Sequence, residues 1–400
     1  MNPIRTSLLL MALFLPLAPT ALASTTWYVD GSNGSDSNNC MSSQTACRTI
    51  GHAISLASSD DSIMVAAAIY VENLTIGTSV NVIGSGASTT IIDGARRATV
   101  ITISSASALV TLAKVTITNG VHGVYNRGGT LILNNSTVSH NSAAFGGAGI
   151  YNGNGILMIN NSTVSANSVG TNCIGNPCPA VGGGIYSSGT LRISNSTIGP
   201  NSVHLYCSYH AYYCQAAGGG IAAGGTLTIN NSTIVGNGVY VSCTSHFCGA
   251  FGGGMAISGS TMISNSTLSG NWVSTQGTGS NIYGSATLQN SILANGPNGG
   301  NCAGTITTNG YNLSSDNTCN FNGPGDMNNT DPKLGTLGYF GGETQTIPLL
   351  SGSPAIDAGN PSGCTDGQGN LLKTDQRGMP RPDKEDAGGC DMGAYESQND

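Results

Sequence analysis

Residues 182–201 read GGGIYSSGTLRISNSTIGPN. The pattern returns at residues 146–167 (GGAGIYNGNGILMINNSTVSAN), 218–237 (GGGIAAGGTLTINNSTIVGN) and 252–271 (GGGMAISGSTMISNSTLSGN). Looser copies flank these, VHGVYNRGGTLILNNSTVSHN at 121–141 and SNIYGSATLQNSILAN at 280–295. A repeated unit of this size cannot bury its apolar face alone, so it must stack on its neighbours. Within a copy, Leu191 and Ile193 alternate with Arg192, and Leu227 and Ile229 with Thr228. A period of two is a strand with one buried face. Gly, Asn and Ser mark the joints, where the backbone needs turn or left-handed conformations. Three strands and three corners per copy predict one coil of an all-β, single-stranded parallel β-helix, a solenoid.

In five copies the closing Asn falls six residues after the first Asn of an N-S-T triplet, as in Asn195 and Asn201. Stacked coils are expected to bring Asn141, Asn167, Asn201, Asn237, Asn271 and Asn295 into register, where their amides bond along the stack as a ladder. The N-S-T triplets also match the N-glycosylation acceptor pattern. Their fixed place in the copy favours a structural corner. The spacing between closing asparagines is 26 residues, then 34, 36 and 34, and finally 24. Each long copy, and no short one, carries a Cys pair in its extra residues: Cys173 and Cys178, Cys207 and Cys214, Cys243 and Cys248. A constant coil therefore extrudes a pinned loop at one corner on three consecutive turns, and the three form a ridge.

The remaining cysteines also fall into local pairs, Cys40 with Cys47, Cys302 with Cys319 and Cys364 with Cys390. Twelve paired cysteines imply an oxidising destination. Each short closed loop stabilises by roughly 2–3 kcal/mol. Residues 1–23, with Arg5, an apolar run and Ala21-Leu22-Ala23, read as a secretory signal cleaved after Ala23. No later run is long enough to span a membrane, so the expected product is an exported monomer. Net charge is −7, yet no Asp or Glu lies between Asp93 and Asp316. Neutral coils avoid like-charge repulsion between equivalent stacked positions. With so few cations a nucleic-acid groove is not expected.

Ahead of the repeats, residues 47–57 place Ile50, Ala53, Ile54 and Ala57 on one helical face, which predicts a helix capping the open N-terminal end of the stack. The succession WYVDGSNGSDSNNC, CRTIGHAISLA, DSIMVAAAIY, VENLTI, VNVIG and TTIIDG resembles the opening of right-handed parallel β-helix proteins of the pectin-lyase-like fold. The GGGI and V/I/L-x-x-N elements resemble repeats of bacterial polymorphic outer-membrane proteins. Val138, Val164, Ile198, Ile234 and Leu268 stand where those repeats usually carry an aromatic. GYNL at 310–313, DPKL at 331–334, SPAIDAG at 353–359, DQRG at 375–378 and CDMGAYE at 390–396 resemble the choice-of-anchor module of bacterial surface β-helix proteins. These resemblances imply a right-handed helix over 60–310, preceded by a strand and capping helix over 24–59. A loop-rich C-terminal cap module is implied over 311–400. They also imply a secreted, cell-surface or outer-membrane-associated location.

Two functional classes follow. The fold resemblance allows a polysaccharide lyase or hydrolase, whose weak catalytic candidates would be Glu72, Asp93, Arg96, Arg97 and Lys114. A glycosidase needs two facing carboxyl groups and a calcium-assisted lyase needs acidic ligands; the repeats offer neither. The ridge is the other candidate. Tyr206, Tyr209, His210, Tyr212, Tyr213, Tyr240, His246 and Phe247 crowd two of its loops, and loops on a rigid scaffold commonly carry binding functions. Flat rings suit sugar faces or protein partners; alternatively they lie down as a satellite core. The Cys and His of these loops have zinc-like spacing, but export favours disulfides, so neither metal nor cofactor is expected. The favoured reading is a non-enzymatic, adhesin-like rod that contacts carbohydrate or another cell-surface ligand. A purely structural surface protein is the remaining alternative.

Overall fold

The computed structural model describes residues 24–174, 178–208, 213–243, 247–384 and 389–398. The expected leader, residues 1–23, lies outside them. Each coil gives one strand to each of three parallel sheets, of eleven, ten and nine strands, here sheets I, II and III. One turn runs through Thr190–Ser194 in sheet I, Thr197–Ile198 in sheet II and Ile221–Ala223 in sheet III. Equivalent residues sit over one another: Leu191 lies between Leu157 and Leu227, and Ile198 between Val164 and Ile234. Their side chains join one continuous interior from Val29 to Phe321. The architecture is the right-handed parallel β-helix, the hand that parallel crossovers adopt.

The corner between sheets I and II is set by the first Asn of each triplet. Asn135, Asn161, Asn195, Asn231 and Asn265 all take left-handed φ values of 47–50°, a conformation that Asn tolerates better than other side-chain-bearing residues. Asn231 and Asn265 are 3% and 0% exposed, which closes these two acceptor sites in the folded chain. The Ser that follows builds a ladder not read from the sequence. Ser162 N donates to Ser196 Oγ at 3.1 Å, while that hydroxyl donates to Ser194 O at 2.7 Å.

The closing asparagines make a second ladder. Asn141 Nδ2 donates to Asn167 Oδ1 at 2.9 Å, and the chain of bonds continues through Asn201 and Asn237 to Asn271. It then passes to Asn281 at 2.7 Å and Asn301 at 2.9 Å, not to Asn295. Asn295 is exposed and donates to Ser269 Oγ at 3.3 Å. The cause is steric. A Cβ on Gly184, Gly220 or Gly254 would come within 3.1 Å of the ladder Asn of its coil. At the next turns that glycine position is occupied by Asn281 and then Asn301, whose own amides fill the ladder space.

At the N-terminal end, α1 (Ile50–Leu56) lays Ile50 and Ala53 on the core, with Thr49 as its N-cap. At the other end the Cys302–Cys319 disulfide and Phe321 close the interior. The loop-rich C-terminal segment extends well beyond that closure. It turns back and runs along the flank of the stack as a strap. Leu349, Ala355 and Met392 pack on Ile292, Ala294 and Leu313. Polar anchors reach further back: Asn290, Asn265 and Asn231 donate to the carbonyls of Asp391, Thr365 and Thr374 at 2.9, 2.7 and 2.7 Å. Inside the strap, buried Arg381 bonds Glu396 at 2.7 Å and Asn231 at 2.9 Å, while Arg377 pairs with Asp375 at 2.7 Å and covers the Tyr395 ring.

Asn201→Ala strips the acceptor from both Asn167 N and Asn167 Nδ2, so it should cost about 1–3 kcal/mol in chemical denaturation; Asn295→Gly, which keeps the left-handed backbone of that position accessible, should cost much less. Equal losses would remove the ladder from the account. Burial pushes the Glu396 carboxyl up to about 8, outweighing the opposing pull of Arg381. The folded protein thus holds this proton more tightly than the unfolded chain does. The associated stability is complete below about pH 4.5 and is lost as pH rises through about 8. Melting temperatures between pH 5 and 9 should therefore fall for the wild type more steeply than for Glu396→Gln.

Candidate functional site

The three extruded segments are built arms. Their outgoing strands, Ser168–Cys173, Ser202–Cys207 and Gly238–Cys243, pair in parallel within a five-stranded sheet, and their returning strands form a three-stranded one. The two small sheets enclose an interior separate from the main core, filled by Val169, Val203, Leu205, Val239, Ala216 and Ala250. Cys207–Cys214 and Cys243–Cys248 join the two walls, and Cys173 and Cys178 occupy the same registers on the first arm. Cys40–Cys47 and Cys364–Cys390 are likewise bonded.

Strand alternation decides which ring faces where. Val203, Leu205 and Cys207 point in, so His204 and Tyr206 point out. Tyr206 is 48% exposed and Tyr240, on the next arm, 37%. Their ring centroids are 5.8 Å apart, and His204 lies 6.1 Å from Tyr240. The satellite core is aliphatic, and these rings stay on its surface. Tyr209, His210, Tyr212 and His246 lie outside the described residues. Tyr213 and Phe247 are placed by their backbones, which pair with each other across adjacent arms.

A second aromatic surface, missed in the sequence reading, lies on the outer face of sheet III beside the arms. Tyr125, Tyr151 and Tyr186 occupy one register position on successive coils. Their rings stack at 4.6 and 5.0 Å between centroids. Burial raises the Tyr151 phenol above its ordinary pKa. The next two coils carry Ala222 and Ala256 at this position, and the third carries Tyr283. Two rungs of the aromatic row are thus missing. The gap is a recess of 260 Å³ floored by the two alanines and walled by Val181 and Ala217 at the root of the arms. Tyr186 closes one end; Tyr283, in contact with the Phe251 ring at 4.6 Å, closes the other. The available signal was the G-[IV]-Y triplet of three consecutive copies.

The charged candidates hold other positions. Glu72 accepts the Ile50 and Gly51 amides at 2.9 and 2.8 Å and so caps α1. Asp93 accepts from Ala95 N at 2.7 Å and Asn119 Nδ2 at 2.9 Å. Arg96, Arg97 and Lys114 are exposed. Among the described residues, none of the five makes a salt bridge. The one metal-like grouping among them is Cys40, Cys47 and His52, whose two sulfurs are already joined in a disulfide. No helix of the described residues is long and apolar enough to cross a membrane.

Fold and surface together define a disulfide-braced parallel β-helix with an aromatic face. Among solved structures, the crystal structure of pectate lyase Pel9A is similar, with a TM-score of 0.49 and 16% sequence identity over 94% of this chain and 97% of that one. No protein-family model matches the sequence, and neither does any curated protein.

The capping role of Glu72 has a direct check. Glu72→Ala should lower stability by about 1–2 kcal/mol through loss of the helix cap. Lys114→Ala should leave the melting temperature unchanged.

Proposed function

We propose that this protein is an extracellular, non-enzymatic rod that binds carbohydrate at a cell surface. The observation that carries the reading is the Tyr186–Tyr283 recess beside the exposed rings of the arms. A pyranose presents a flat C–H face that rests on the apolar face of an aromatic ring. The recess offers a ring at each end and a shallow alanine floor between them. Phenol hydroxyls along the row add hydrogen-bonding partners at low entropic cost. The coils that build it contain no carboxylate side chain, which favours neutral ligands and leaves no acid–base pair for glycosidic cleavage on these coils. The choice-of-anchor-like ending supports display outside the cell, and the paired cysteines suit that compartment.

The test is a glycan array together with pull-down on insoluble polysaccharides. Tyr186→Ser and Tyr283→Ser should each weaken retention about tenfold, the equivalent of ~1.4 kcal/mol, without altering circular dichroism. Undiminished retention in both variants would move the contact elsewhere. Release of shortened or unsaturated products from any bound polysaccharide would replace binding by lyase or hydrolase activity.

A further inference from the structure

One threonine per coil faces outward from sheet II: Thr116, Thr137, Thr163, Thr197, Thr233 and Thr267 stand in register. The left-handed asparagines of the preceding corner run beside them. Over the later coils the strap covers both rows. Asn231 Nδ2 donates to Thr374 O at 2.7 Å, and Thr233 Oγ1 donates to Gln376 Oε1 at 2.6 Å. Gln376 Nε2 reaches one coil back to Thr197 Oγ1 at 3.1 Å, and Ala394 N donates to Thr267 Oγ1 at 3.0 Å. Thr197, Thr233 and Thr267 are accordingly buried. At the opposite end of the row Thr116 Oγ1 donates to Ala87 O at 2.5 Å.

Two coils in between are bare. Thr137, Thr163, Asn135 and Asn161 are half-buried, and their side chains make no hydrogen bond among the described residues. They floor a polar groove of 480 Å³. The loop at residues 85–88 and Lys114 bound one end; Tyr339 and Glu343 of the strap bound the other. The threonine row is thus satisfied along its length except over a gap two coils wide; in the asparagine row Asn195, beside the strap, likewise makes no side-chain hydrogen bond among the described residues.

We propose that this gap is a docking site for a peptide turn of a partner protein, carrying a glutamine and bound as the strap turn Asp375–Gly378, which presents Gln376, binds its own coils. Register makes the two places equivalent. Asn161 and Thr163 stand to Thr137 as Asn231 and Thr233 stand to Thr197. Asn161 Nδ2 takes a main-chain carbonyl, Thr163 Oγ1 takes the carboxamide oxygen, and Thr137 Oγ1 accepts its N–H. Lys114 and Glu343 mark opposite ends, so an acidic group on the segment belongs at the first and a basic group at the second. The groove continues an interface that polypeptide already fills in this molecule, which favours peptide over saccharide. It shares no residue with the aromatic recess and stands independently of carbohydrate binding.

The probe is a fluorescein-labelled peptide reproducing residues 373–379, KTDQRGM, titrated with the protein and read by fluorescence anisotropy. Saturable binding is expected. It should weaken about tenfold or more in Asn161→Ala/Thr163→Val, and likewise when the peptide's glutamine is replaced by alanine. Tyr206→Ser, on the arms, should bind as the wild type does. Circular dichroism melts of the variants establish that they are folded. No saturation by about 1 mM, a free-energy scale of only ~4 kcal/mol, overturns the proposal. So does binding indifferent to Asn161→Ala/Thr163→Val, which would mean that the peptide merely exchanges with the strap. Displacement by a neutral oligosaccharide but not by unlabelled peptide would assign the groove to sugar and overturn it equally.

Discussion

The constraint beneath the whole molecule is that every coil position lies one strand spacing, about 4.8 Å, from its own equivalent. Any side chain chosen for the repeat is therefore chosen several times over in a row. An apolar residue gains from this, because Leu on Leu and Ile on Ile fill a continuous interior without gaps. An amide or hydroxyl gains too, because it offers donor and acceptor on opposite sides. A carboxylate or ammonium loses, since its nearest neighbour carries the same charge. The acid-free centre of the chain and the Asn and Ser ladders are two results of that single condition.

The same condition explains the order of residues around one coil. A buried Asn can join the ladder only if the chain entering sheet III leaves room for its amide, hence the glycine at the end of each Gly run. It also needs both sides of the amide engaged; Asn201 accepts from Asn167 and donates onward to Asn237. Arms can be inserted only between the ladder residue and that glycine run, because every other joint is a tight corner. Three insertions on successive coils then obey the stacking rule themselves. They pair in register, bury small residues against one another and carry their cysteines one above the next.

This is why the fold was largely legible and the surface was not. Period, strand alternation and corner chemistry are properties of one coil multiplied, so the sequence repeats them and they can be read. Asn295 was misassigned because the last Asn of a looser copy, which lacks the N-S-T triplet, was equated with the closing Asn of the others, although Asn281 had taken the glycine position. The path of the strap left no periodic trace: its partners lie up to 179 residues away in sequence, as Asn265 with Thr365, Asn231 with Arg381 and Thr197 with Gln376. The Tyr186–Tyr283 recess escaped for a related reason. It is defined by where the tyrosine row stops, and an alanine in an outward position looks like any other small surface residue until the coils are superposed. The arm aromatics drew attention by local density, yet their inside–outside placement depended on the alternation of Val203 and Leu205.

Sites on such a scaffold arise where equivalence is broken. A perfectly regular stack presents the same group at every step and has no reason to hold a ligand at one step over another. Replacing two rungs of an aromatic row by alanine creates ends, and ends create a defined length. Covering part of a Thr and Asn row with the chain's own strap does the same on the flank, leaving a stretch of fixed width with unlike charges at its limits. The strap can supply Glu343 at one limit because it lies outside the register rule, as does its Arg377–Asp375 ion pair: no identical neighbour opposes these residues. The neutral coils provide length and rigidity, while the irregular segments, arms and strap, provide the boundaries that divide a uniform surface into discrete recesses.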